Sequence, residues 1–178
     1  MSFWKGKKVL VTGAHGFVGH SLLKKLSEFD YEELLSPTKK ECDLTLASDV
    51  NHLFKDFKPN IVLHLAGKVG GIGANKSEKG EFFYKNLMMG TLLFEHSRLN
   101  GVEKLVALAA GCGYPKQLQN ALKESDFWYG LPDENSIGYS MAKKMLIIQS
   151  WTYREQYGFN SSVLLPANLY GPHDNFDL

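Results

Sequence analysis

A tyrosine and a lysine four residues apart, in Tyr139-Ser-Met-Ala-Lys143, are the pair in this sequence best suited to move a proton. At that spacing the two share one face of a helix. A phenol has a free pKa of about 10, so a value near 7 needs about 4 kcal/mol of differential stabilisation. A lysine ammonium about 4 Å away contributes roughly 4 kcal/mol at an effective dielectric of 20, which is sufficient if the fold brings the groups together. The competing reading is a surface lysine beside a packed tyrosine. Cys112, in Gly111-Cys-Gly-Tyr-Pro115, reads by itself as a small buried filler of a turn. His64, inside an apolar run, reads most simply as a core histidine with a backbone partner.

Such groups need a scaffold, and its organising stretch is Val9-Leu-Val-Thr-Gly13-Ala-His-Gly16-Phe-Val-Gly19. Val9 to Thr12 has the character of a strand covered on both faces. Phe17 to Phe29 continues with helical spacing. Between them Gly13 would make the turn, Gly16 would let backbone approach a pyrophosphate, and Gly19 would let the helix pack on the strand. The helix start offers N–H groups and partial positive charge to an anion. The plain alternative is an ordinary glycine-rich turn.

Further strands are expected at Glu33–Ser36, Cys42–Leu44, Ile61–Ala66, Leu105–Ala110 and Ser162–Pro166. Helices are expected at Ala47–Phe57, capped by Thr45 or Ser48, at Phe82–Asn100, and at Tyr139–Tyr157 ended by Gly158. A second glycine cluster, Gly67 to Gly73, follows a strand and so falls at the carboxyl edge of the sheet. Alternation of strand and helix with right-handed crossovers predicts an α/β doubly wound parallel sheet of order 3-2-1-4-5-6, one domain over 1–178.

Composition sets limits. The 178 residues carry a net charge of +1 with 44% hydrophobic and 22% charged residues, as in a globular protein, and the charge argues against a nucleic-acid surface. No apolar run approaches membrane-spanning length and the N-terminus lacks a signal-peptide core, so a cytoplasmic protein without membrane contact is expected. Two cysteines and six scattered histidines match no metal spacing, and no metal is expected.

Several segments together carry a resemblance. GxxGxxG stands at Gly13–Gly19, Lys68-Val-Gly-Gly-Ile72 is followed by Ala74-Asn75, Cys112-Gly-Tyr-Pro115 precedes Tyr139 and Lys143, and Pro166-Ala-Asn-Leu-Tyr-Gly-Pro-His-Asp-Asn-Phe176 comes last. In this order they resemble the motifs of the extended short-chain dehydrogenase/reductases, and within them the GDP-L-fucose synthase (GDP-4-keto-6-deoxymannose epimerase/reductase) family. The resemblance implies a Rossmann fold, a homodimer through the two long helices, and reduction of a 4-keto GDP-sugar by NADP(H), with or without epimerisation at C3 and C5. Apolar surface for that dimer would come from Met141, Met145, Ile148 and Trp151. Gly13, His15, Gly16, Phe17 and Val18 would line the pyrophosphate. Lys39 with His15 would favour NADP over NAD. Asp43 and Leu44 would border the adenine, Leu65, Ala66 and Gly67 the ribose side, and Pro166, Asn168 and Leu169 the nicotinamide. Tyr139 would protonate the C4 oxygen, Lys143 would hold the ribose and lower the phenol pKa, and Cys112 would act as acid and base in epimerisation.

Two departures qualify what is implied. The family's catalytic serine falls at Ala110 or Gly111, and no Ser or Thr occurs from Val106 to Glu124. Losing one such donor typically costs about 10²- to 10³-fold in rate. The chain also stops where the family's C-terminal substrate region would begin, so most of the sugar pocket is expected to be missing. Alternatives are therefore a related GDP-hexose or GDP-heptose dehydrogenase, epimerase or dehydratase using NAD(H), or a catalytically weakened nucleotide-binding or regulatory module.

Overall fold

The computed structural model describes residues 3–118, 121–172 and 174. Five strands form one parallel sheet: β1 (Lys8–Thr12), β2 (Glu33–Leu35), β3 (Ile61–His64), β4 (Lys104–Leu108) and β5 (Ser161–Leu164). Their order is β2-β1-β3-β4-β5. Helix α1 (Phe17–Leu26) links β1 to β2, and α2 (Ala47–Phe57) links β2 to β3. The β3–β4 crossover holds a short α3 (Ile72–Ser77) and the long α4 (Lys79–Leu99), and α5 (Ile137–Tyr157) precedes β5.

The central strands are apolar runs because both their faces are covered. Leu10, Val62 and Leu105 point into a core with Phe54 of α2, Leu93 and Phe94 of α4 and Leu146 of α5. Val9, Val11, Ile61 and Leu63 point the other way, toward Leu22, Leu23 and Leu26 of α1. Two of the helices end on left-handed residues. Gly158 caps α5 at φ 64°, and Lys58 ends α2 at φ 52° just before Pro59.

Three expectations need correction. Cys42–Leu44 is not a third strand. Asp43 Oδ1 accepts from the Thr45 amide at 3.0 Å and its hydroxyl at 2.7 Å, and Cys42 N bonds Thr38 O, which winds this segment into turns. The strand order is thus the expected one without its outermost member. Neither Thr45 nor Ser48 caps α2: the N-cap is Leu46, with Thr45 turned to Asp43 and Ser48 to Asp49. Gly19 meets the backbone of the preceding turn rather than the strand, for an added Cβ would stand 2.3 Å from Ala14 O.

His64 is buried, but its partner is a side chain. Parallel pairing sets Thr12 opposite His64, and Thr12 Oγ1 lies 2.8 Å from Nδ1. Burial, with a smaller effect of the Lys143 charge, pushes the imidazole down to about 3. The folded chain therefore keeps His64 neutral while the unfolded chain protonates it below about pH 6.5. Stability from this site is full above that value and is lost as pH falls toward the folded pKa. Urea unfolding should lose about 2 to 3 kcal/mol from this residue between about pH 7 and about pH 4.5, and His64→Gln should remove that part of the slope. Identical pH slopes in parent and variant would contradict the assignment.

Candidate active site

The carboxyl ends of β1 and β3 are pressed together by backbone. Gly13 turns the chain at φ +74°, and a Cβ there would lie 2.5 Å from the Ala66 amide nitrogen, so only glycine fits. Gly16 N bonds Gly13 O at 3.1 Å, and Gly16 is the N-cap of α1 without a side-chain capping bond. The first turn of α1 thus presents backbone toward a cleft of about 730 Å³ at the sheet's carboxyl edge. Gly13, His15, Gly16, Phe17, Val18, Lys39, Asp43, Leu44, Leu65, Ala66 and Gly67 all line it. Backbone bare of side chains beside a helix N-terminus suits a diphosphate.

Sequence reasoning missed other lining residues, among them Thr38, Lys68, Lys85, Met89 and Leu108. Lys85 and Met89 stand four apart on α4, a spacing that would have put both on one face. Lys68 belongs to the Lys68–Ile72 motif, which by itself says nothing of the cleft. Its backbone is clamped by buried Asn86, which accepts from Lys68 N at 3.0 Å and donates to Lys68 O at 3.0 Å. Its ammonium pairs with Glu78 at 2.5 Å and Glu81 at 3.0 Å. These contacts hold the Gly67 turn against α4.

Charges at the far end of the cleft are unevenly committed. Glu41 accepts from the Thr38 amide and hydroxyl at 2.7 and 2.8 Å, which holds its carboxyl below the usual range. Asp43 is held low in the same way by the Thr45 hydroxyl and amide. Lys39 keeps 72% of its side chain exposed and lies 3.9 Å from Asp43, while His15 Nε2 lies 3.3 Å from Ser36 O. Both carboxylates near β2 are thus engaged in holding their own turns, and both basic side chains remain at the surface.

The opposite end contains the proton-transfer candidates. Lys143 of α5 is 4% exposed and donates to Leu108 O at 3.1 Å. A Cβ at Gly67 would stand 3.6 Å from its Nζ, so the ammonium abuts the cleft wall. Nζ lies 5.9 Å from the centre of the Tyr139 ring. Burial pushes Lys143 down to about 8 and pushes the Tyr139 phenol up to about 12. The expected lowering of the phenol is therefore not what the protein alone produces: desolvation of the half-buried ring raises it, with a smaller raising effect from Cys112.

Cys112 sits in a 3₁₀ turn, Gly111–Gly113, and is exposed, which rules out a buried filler. Ser140, directly after Tyr139, bonds its carbonyl oxygen and sulfur at 3.1 and 3.2 Å. The Phe127 ring fills the space beside Gly113, where a Cβ would be 2.3 Å from it, and buried Lys144 donates to Phe127 O at 2.5 Å. Ala110 offers the turn no hydroxyl. Pro166, Asn168 and Leu169 do not line the cleft. They follow β5, with Pro166 O 3.1 Å from the Cβ position of Gly111 and with Asn168 and Leu169 exposed. His173 and 175–178, the end of the last motif, lie outside the described residues. Among the described residues no cluster of His, Cys, Asp or Glu could hold a metal.

Comparison with known proteins agrees with this architecture. A GDP-L-fucose synthase of Sinorhizobium fredii is 38% identical over 97% of this chain and 55% of its own. A GDP-L-colitose synthase of Yersinia pseudotuberculosis is 36% identical over 96% of this chain and 55% of its own. The structure of a GDP-D-glycero-L-gluco-heptose synthase from Campylobacter jejuni in the presence of NADPH superposes with a TM-score of 0.92 at 33% identity, covering 99% of this chain and 52% of that one. The chain thus spans about half the length of the relatives it matches. The model of the NAD dependent epimerase/dehydratase family matches residues 9–178, and the chain belongs to that family.

Proposed function

We propose that this chain carries the cofactor-binding and proton-transfer machinery of an NADPH-dependent reductase acting on a 4-keto GDP-sugar, with epimerisation beside the ketone. The observation that carries this reading is the contact of buried Lys143 with two residues of the glycine-lined cleft, Gly67 and Leu108, with the Tyr139 ring centre 5.9 Å from its Nζ and Cys112 bonded to Ser140, the next residue of α5. Relatives named for fucose, colitose and heptose all act on GDP-linked sugars by their names, and the heptose synthase was solved with NADPH.

Gly13, Gly16, Phe17 and Val18 would hold the diphosphate. His15 and Lys39 would take the 2′-phosphate of NADPH, since Glu41 and Asp43 are engaged elsewhere and do not compete as ligands of a free ribose diol. Asp43 and Leu44 would border the adenine and Leu65, Ala66 and Gly67 the ribose side, while Pro166, Asn168 and Leu169, which lie outside the cleft, would meet the nicotinamide beyond its edge. Bound there, NADPH would supply hydride to the ketone carbon. Tyr139 gives its proton to the ketone oxygen. A phenol held at about 12 is fully protonated at working pH, and the alkoxide it meets is a stronger base, so transfer runs downhill. Lys143 holds the ribose and offsets the phenolate left behind, a charge it carries below about pH 8. Cys112 exchanges a proton with a carbon flanking the ketone. The absent hydroxyl at Ala110 predicts slow turnover.

The same proposal includes a homodimer in the cytoplasm, packed across α4 and α5. Met141, Met145 and Ile148 are half-buried, and Trp151 is 51% exposed beside Trp128. Among the described residues no helix is long and apolar enough to cross a membrane.

Cofactor choice is tested by fluorescence titration of the chain: NADPH should bind about tenfold more tightly than NADH, about 1.4 kcal/mol, and Lys39→Ala should erase most of the difference. Equal or tighter NADH binding would discard the roles of Lys39 and His15. The proton carriers separate by deuterium uptake during incubation with a 4-keto GDP-sugar in heavy water. Cys112→Ser should cut uptake at the flanking carbons by about 100-fold, whereas Tyr139→Phe should block reduction and spare that uptake. Undiminished uptake in Cys112→Ser would sink the cysteine's role.

A further inference from the structure

We propose that Ser140 is a positioning residue for Cys112, holding the sulfur at the site and supplying a hydrogen bond to the thiolate when the proton has left. This rests on the reading of Cys112 as a proton carrier. Ser140 follows Tyr139 on α5 and has no exposed surface. A hydroxyl so buried needs a partner, and three acceptors surround it: the Cys112 carbonyl oxygen at 3.1 Å, Cys112 Sγ at 3.2 Å and Ser136 Oγ at 3.2 Å. It has one proton to give, and that proton swings about the Cβ–Oγ bond without moving a heavy atom.

The arrangement works as a selector. Beside a neutral thiol, a weak acceptor, the proton is better placed on the carbonyl, where it pins the backbone of the turn to α5. Once the sulfur carries negative charge, the charge-assisted bond to Sγ is roughly twice as strong as a neutral one and takes the proton. The donor is in place before the charge appears, which is the condition under which such bonds stabilise a developing anion most effectively. The turn is also held from its other side by Phe127 against Gly113, with Phe127 fixed through Lys144, so the sulfur keeps its distance from Ser140. Cys42 differs on each point: it is buried, faces Asp43 and Asp49, and burial pushes its thiol up to about 11.

That contrast supplies the experiment. The 178-residue chain is alkylated with iodoacetamide at one mildly alkaline pH, and Cys112 and Cys42 are followed separately by peptide mass spectrometry, with Cys42 protection reporting an intact fold. Ser140→Ala should slow Cys112 alkylation by about three- to tenfold while leaving NADPH affinity within about twofold, because thiolate is the reactive form and its donor is gone. Ser140→Thr keeps the hydroxyl and should alkylate within about twofold of the parent. Cys112 alkylated at the parental rate or faster in Ser140→Ala, or a Thr variant as slow as the Ala variant, would overturn the proposal. Failure of the underlying reading shows independently, as undiminished deuterium uptake in Cys112→Ser.

Discussion

Backbone contact between Gly13 and the Leu65–Ala66 peptide is the constraint on which the rest of the site depends. β1 and β3 lie side by side with Thr12 opposite His64, and Leu65 N continues the pairing onto Thr12 O at 3.0 Å. One residue further the chain must reverse into α1 while β3 runs on into the Gly67 turn. Both can happen in the same space only because Gly13 has no side chain and accepts a left-handed conformation. A methyl group there would drive the two strand tips apart. With them would go the start of α1 and the wall against which Lys143 rests.

Lys143 is the second link, because it joins that wall to the proton-transfer end. Its ammonium is buried against the Leu108 carbonyl and the Gly67 turn, so β3, β4 and α5 meet at one charge. Burial of a lysine is costly and lowers its pKa, and among the described residues the Leu108 carbonyl is the one hydrogen-bond acceptor it meets. A bound ligand carrying hydroxyls and phosphates would complete that shell. Tyr139 shows the same economy in reverse. Desolvation holds it protonated, as burial favours the neutral form of both groups.

Much of this was legible in the sequence, for identifiable reasons. Strands covered on both faces read as apolar runs, so β1, β3 and β4 were evident at once. Gly13 was legible because a left-handed turn against neighbouring backbone demands glycine. The error at Cys42–Leu44 arose because a three-residue apolar–acidic–apolar pattern resembles an edge strand until the Asp43 side chain is seen bonding Thr45. The caps of α2 failed similarly, since Thr45 and Ser48 had nearer carboxylates. α3 hid in a glycine-rich stretch with little helical signal. The Thr12–His64 bond, the Asn86 clamp and the Ser140–Cys112 contact join residues 18 to 52 positions apart. Nothing local announces such pairs, and they emerge only when register and helix rotation are known.

If the glycine cleft and the lysine–tyrosine corner form a single binding surface, one dinucleotide touches both. Titration of isotope-labelled chain with NADPH, followed by amide and lysine-side-chain NMR, tests this directly. A shared site gives saturable shifts of Gly13, Gly16, Phe17 and Gly67 together with the Lys143 side chain, all with one midpoint. Shifts at the Gly13–Gly16 turn with Lys143 and Gly67 unmoved, or no saturable shift at that turn, would contradict it.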